Sequence, residues 1–177
     1  VPLSLRTKVL FFAPFPKVAD RDAQNPFLNS AGAAVWGDAA TVLPMTLFRH
    51  FRDQGLLNSH LSLMMNWVDY IYRQDEERGG KRLWDFGFQL GDWLALDLGI
   101  PGTVFGATDS ALIATIYYYY SASNTAKALK LCNDSSATFY SKLALEIRTA
   151  LLTTYFIGDE LQLSPVTLQS EVDPHFL

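Results

Sequence analysis

Cysteine is almost missing from this chain. Cys132 stands alone, so no disulfide can form within it, and the fold cannot depend on an oxidising compartment. Histidine is scarce as well. His50 and His60 fall on different predicted helices, without the spacing of a metal-ligand pair, which argues against a zinc-type centre. No basic run is longer than Lys81-Arg82 and the net charge is −4, so the electropositive stripe of a nucleic-acid binder is not there. No apolar run approaches the ~20 residues of a membrane span. No segment of useful length alternates with the period of a strand. Arg6–Phe15 has a basic start but only a short apolar run, broken at Pro14, and is not read as a signal peptide. The chain opens on Val1 and reads as a processed piece or fragment.

Hydrophobic residues are plentiful at 49%, enough for one domain with a real core rather than a disordered segment. Residues 1–35 read as an irregular N-terminal segment punctuated by Pro2, Pro14, Pro16 and Pro26. Beyond them the three- and four-residue spacing of apolar side chains predicts four helices. The first runs from Asp38 to about Gln54, with Gly55 as its stop and Pro44 bending it. The second follows with Ser59 as cap and Leu61, Met64, Val68 and Ile71 as its stripe. The charges of Asp75–Arg82 read as a solvated loop. The third helix runs from Thr108, its cap, to about Leu131. Its Leu112–Tyr120 half has no polar side, so it is expected to be buried all round, with Tyr117–Tyr120 in an inner layer. The fourth spans about Ser135–Phe156 and is amphipathic. The fold class is therefore all-α: two αα-hairpins joined by a long aromatic loop, residues 83–106.

Two segments carry the chemistry. Trp36-Gly37-Asp38 and Gly91-Asp92-Trp93 each set a tryptophan beside a glycine and an aspartate. That combination suits a sugar: an indole covers the C–H face of a pyranose, a carboxylate accepts hydroxyl hydrogen bonds, and glycine permits close approach. The same residues also have a plain structural reading, with Asp38 as an N-cap, Asp92 ordering its loop and both tryptophans in the core. Phe88 and Gln89 are candidates for the border of the same site. Trp67 lies on an amphipathic helix and reads as core, Trp84 as rim or packing. Cys132 has no His partner nearby and reads as an inert thiol.

Four collinear segments resemble one family. Trp36–Pro44, Trp67–Ile71, Gly87–Asp97 and Ala114–Ser121 are similar to the catalytic domain of the α-L-rhamnosidases of glycoside hydrolase family 78. The resemblance covers about residues 32–156. It implies that residues 36–177 are part of an (α/α)6 toroid, the six-hairpin glycosidase fold. It implies inverting hydrolysis of terminal α-L-rhamnosyl residues on a small molecule or polysaccharide, with no organic cofactor. It places Trp36, Asp38, Asp92 and Trp93 in the sugar-binding pocket.

This chain departs from the family's pattern in several places. The family's general acid lies in an acidic, Arg-containing motif upstream of the Trp-Gly-Asp segment. Asp20-Arg21-Asp22 is superficially similar but begins only sixteen residues before Trp36. The general base lies beside a Trp-Glu pair after the tyrosine helix, whereas Glu171-Val172-Asp173 has no tryptophan. Val35 replaces the usual glycine, and Met45 an aromatic. A closed ring of twelve helices needs roughly 200 residues or more. The expectation is a partial domain, catalytically incomplete, holding part of the sugar subsite. Two alternatives stand beside it: another six-hairpin sugar-active enzyme, and a noncatalytic α-helical binding module.

Overall fold

The structure is a computed structural model that describes residues 32–93, 106, 108–158 and 160–161. Among these, α1 spans Ala39–Phe51, α2 Gln54–Glu76, α3 Ser110–Leu131 and α4 Ala137–Tyr155. A two-residue antiparallel ladder follows α4. Its strands, β1 (Phe156–Ile157) and β2 (Glu160–Leu161), pair Phe156 with Leu161 and Ile157 with Glu160. The expected helices are thus all present, and the small hairpin is an addition. Residues 94–105 of the aromatic loop, and Asp20-Arg21-Asp22 and Glu171-Val172-Asp173, lie outside the described residues.

Three of the expected helix ends move, each for a visible reason. Gly55 does not stop α1. Arg52 does, in a left-handed conformation at φ 54°, with its N–H bonded to the Phe48 carbonyl. Gly55 then falls in the first turn of α2. Ser59 is not the cap of α2 either: Asp53 accepts from the Leu56 N–H at 2.9 Å, and the Ser59 hydroxyl donates back to the Leu56 carbonyl. A carboxylate six residues earlier captures a free amide of the first turn. At α3 the cap is Asp109, which accepts from the N–H groups of Ala111 and Leu112, not Thr108. Helix α1 continues through Pro44, which sits buried at its sixth position. There the ring forfeits one backbone hydrogen bond.

Helix α1 packs on α2 and α3, α2 also on α3, and α3 most extensively on α4. With short turns linking α1 to α2 and α3 to α4, these are two αα-hairpins, with α3 central. Leu57, Met64, Val68 and Ile71 of α2 meet Ala114, Tyr118, Ala122 and Leu129 of α3 and Ile147 of α4 in one core. Small residues at 114, 122, 126 and 128 let the neighbouring helices come close. Trp84, from the connection, is buried against Trp67 and Tyr118, so packing is its role. The expectation of all-round burial for α3 fails on one side. Ile116 is 42% exposed, because α1, α2 and α4 leave that face of α3 uncovered.

The charged stretch Asp75–Arg82, whose first two residues belong to α2, is also not merely a solvated loop. Arg82 adopts φ 62°, which turns its guanidinium back over the end of α2. It reaches the buried Asp75 at 2.8 Å, Glu76, and Glu146 of α4 at 2.9 Å. Its plane also lies over the Tyr72 ring at 4.9 Å. Burial alone would lower the Arg82 pKa, but the hydrogen bonds to Glu146, Asp75 and Glu76 raise it above the ordinary guanidinium value. One arginine therefore ties α2 to α4 and anchors the connection that leads to the aromatic site.

Candidate sugar-binding site

The first Trp-Gly-Asp segment forms the turn that leads into α1. Val35 stands at φ 72°, a left-handed conformation that glycine adopts freely and a β-branched residue resists. Its N–H donates to Asp38 Oδ2 at 2.8 Å. Asp38 has no exposed surface. Its Oδ1 accepts from Trp67 Nε1 at 2.8 Å and from the Ser121 hydroxyl. The Thr41 hydroxyl lies 2.7 Å from that of Ser121 and donates to the Asp38 carbonyl. Burial pushes the Asp38 carboxyl above its ordinary pKa, and the hydrogen bonds from Ser121, Trp67 and Val35 offset only part of that. As the first residue of the helix entry, Asp38 makes no side-chain cap bond. Its carboxylate is turned inward to the core.

Gly37 completes this arrangement. A Cβ added there would meet the Trp67 ring at 2.0 to 2.6 Å. The close approach that the glycine permits is to Trp67. Trp36 alone of the three points outward, with 41% of its surface exposed.

The second segment comes to the same place from the α2–α3 connection. Gln89 Oε1 accepts from the Ala34 N–H at 2.8 Å, which joins the two segments directly. Asp92 accepts from the Thr108 hydroxyl at 3.0 Å, and its carbonyl accepts from the Gly106 N–H at 2.8 Å. Asp92 is half-buried, and these bonds hold its loop beside the start of α3. Trp93, 40% exposed, meets Trp36 with ring centroids 5.8 Å apart and planes tilted by 38°. Two indoles thus form an open, angled surface at the N-terminal ends of α1 and α3. The structure brings Trp36, Asp92, Trp93 and Gln89 together at this surface, leaves Phe88 half-buried beside them, and sets Asp38 beneath it.

Residues 15–172 match the family model for the bacterial alpha-L-rhamnosidase 6 hairpin glycosidase domain. The chain belongs to this family. The α-L-rhamnosidase of Streptomyces avermitilis is 32% identical over 129 residues, which is 72% of this chain and 11% of that protein. That of Alteromonas sp. (strain LOR) is 30% identical over 127 residues, 70% of this chain and 13% of the relative. The chain therefore spans only about an eighth of the length of the curated relatives it matches. Among solved structures, the native α-L-rhamnosidase of Aspergillus terreus superposes with TM-score 0.65 at 24% identity, over 86% of this chain and 17% of that one. The Streptomyces avermitilis enzyme complexed with L-rhamnose gives TM-score 0.63 at 24% identity, over 89% and 14%. At these identities the structures speak for the fold: a mostly helical piece of a six-hairpin glycosidase domain.

Within this family domain, Trp67 lies in the core, as its helical stripe implies, but with a specific task on Asp38. Tyr118 is fully buried and the other three tyrosines are half-buried. Burial raises the Tyr118 phenol well above its usual pKa, and its hydroxyl has no partner among the described residues. Ser121, Thr41, Gln89 and Thr108 matter to the site; the sequence points to Gln89 as a site residue, reads Thr108 only as a helix cap, and gives Thr41 and Ser121 no site role. Ser121 closes the Ala114–Ser121 segment, and that position was the available signal. Cys132 accepts from Gln54 Nε2 at 3.1 Å, and burial pushes its thiol pKa up, which makes it a poor nucleophile. Among the described residues no group of three or more His, Cys, Asp or Glu side chains could hold a metal ion. None of their helices is long and apolar enough to cross a membrane.

Proposed function

We propose that this chain supplies one wall of the glycone pocket of an inverting α-L-rhamnosidase. The observation that carries the reading is the Trp36–Trp93 pair. Two half-exposed indoles meeting at an angle present apolar faces without closing off solvent. L-Rhamnose offers such a surface its C–H face and its 6-methyl group. Asp92 lies on the same rim as an acceptor for a sugar hydroxyl, with Thr108 steadying its Oδ2. Asp38 serves the sugar at one remove. It holds the turn that aims Trp36, and both of its oxygens are engaged. The family membership and the L-rhamnose bound in the Streptomyces avermitilis relative support the choice of sugar. The substrate class is a terminal α-L-rhamnosyl residue on a small-molecule or polysaccharide aglycone.

Inverting hydrolysis needs two carboxyl groups roughly 6.5–9.5 Å apart, one protonating the leaving oxygen and one activating water on the opposite face. We assign neither to the residues of this site. Asp38 is sealed in the core, and Asp92 reads as a binding group. Saturation-transfer NMR on the purified chain tests the binding reading. Magnetisation should reach the C–H and methyl protons of L-rhamnose and not those of D-glucose. Equal transfer to both sugars, or to neither, contradicts it. Release of rhamnose from an aryl rhamnoside by this chain would overturn the assignment of the carboxylates. In a longer protein bearing this segment, the first-formed product should be β-L-rhamnose.

A further inference from the structure

The other ends of α1 and α3 carry a second feature that the sugar reading does not use. The thirteen residues of α1 put it about 20 Å from the indole pair. There the two helix ends border an open groove of about 460 Å³. Met45 and Phe48 are its buried floor and the half-exposed Leu131 its edge. Its remaining lining is cationic: Arg49, Arg52, Lys127 and Lys130. All four are exposed, and among the described residues none forms an ion pair, whereas Lys81, Arg82 and Lys142 all do. The nearby carboxylates are committed elsewhere. Asp53 caps α2 and Asp134 holds the Ser136 N–H. Hydrogen bonding from Arg49 lowers the Tyr120 phenol pKa, and the positive charge of Arg49 and Lys127 adds to this. The C-terminal dipole ends of the two helices offset roughly half a charge each, and the carboxylates of Asp53 and Asp134 lower the balance further, so a smaller net positive charge remains around an apolar floor.

We propose that this groove docks an acidic polypeptide segment with an apolar anchor. Its carboxylates pair with Arg49, Arg52, Lys127 and Lys130, and one aliphatic or aromatic side chain covers Leu131 and Met45. The groove is open and not enclosed, which suits a chain segment better than a small molecule. It presents no free aromatic face for a sugar or a base, because the Arg52 guanidinium covers the Phe48 ring at 5.8 Å. Four cations in a chain of net charge −4 are too few for a nucleic-acid track.

Fluorescence anisotropy on the full 177-residue chain tests this. The probe is a labelled helical peptide of about four turns (~15 residues) with a leucine stripe flanked by glutamates. It should bind, weaken as salt is raised, and weaken about tenfold or more with Lys127→Glu/Lys130→Glu. Lys127→Gln/Lys130→Gln should shift it in the same direction by less. Trp36→Ala should leave it unchanged, which separates this groove from the sugar site. No binding, equal binding of a lysine-flanked or leucine-free peptide, tighter binding of an oligothymidine, or indifference to both lysine variants would each overturn the proposal.

Discussion

Gly37 and Trp67 occupy one another's space: a methyl group on the glycine would sit 2.0 Å from the indole. The Trp36-Gly37-Asp38 segment is therefore one device with two faces. Gly37 admits the Trp67 ring, Asp38 accepts its N–H at 2.8 Å, and Trp36 is left pointing out. Gly37→Ala should lower stability by about 1–3 kcal/mol through overpacking. Urea unfolding measures this, and an unchanged midpoint would show that Trp67 does not fill that space.

Val35 carries the opposite expectation. Its φ of 72° costs an L-residue roughly 1–2 kcal/mol. Glycine pays no steric cost there, though the unfolded chain gains entropy. Val35→Gly should raise stability by about 1 kcal/mol, read as a higher urea midpoint at constant slope. The turn before Trp36 is left-handed, so glycine is the residue that suits position 35 without strain.

Much of the architecture is legible in sequence, and the failures are specific. Apolar spacing finds all four helices because their buried stripes are long. It misplaces their ends where a stronger local group intervenes, as Asp53 does ahead of Ser59 and Arg52 ahead of Gly55. The pairing of Trp36 with Trp93 follows from no local rule. Gln89 and Asp92 create it by reaching Ala34 and Thr108 across the fold. Asp38 shows the limit most clearly. An aspartate ahead of a helix looks like a cap, and only the packed core reveals that its partners are Trp67 and Ser121.

Asp38 also makes stability depend on pH in a definite direction. Its folded pKa lies above the ordinary 3.8, so between the unfolded and folded values the native state binds more protons. Stability contributed by this group is present at low pH and declines as pH rises from about 4. The stability of the wild type minus that of Asp38→Asn, followed by urea unfolding from acid to neutral pH, should fall as pH rises. A difference that grows instead would mean a carboxylate stabilised in its charged form.

Removing the Arg82 guanidinium should loosen the polar tie between α2 and α4. Arg82→Ala leaves the buried Asp75 without its cation and should cost about 3 kcal/mol. Arg82→Lys should rescue only part of it, since one ammonium cannot reproduce the forked contacts to Asp75 and Glu146. Full rescue by lysine would reduce the hub to simple charge pairing.

Trp36 and Trp93 are proposed to face L-rhamnose together. Titrating the sugar while following intrinsic tryptophan fluorescence tests it most directly. The wild type should give a saturable change that weakens about tenfold, the equivalent of roughly 1.4 kcal/mol, in Trp36→Ala and in Trp93→Ala alike, with helicity intact. A wild-type response that survives both substitutions would contradict it.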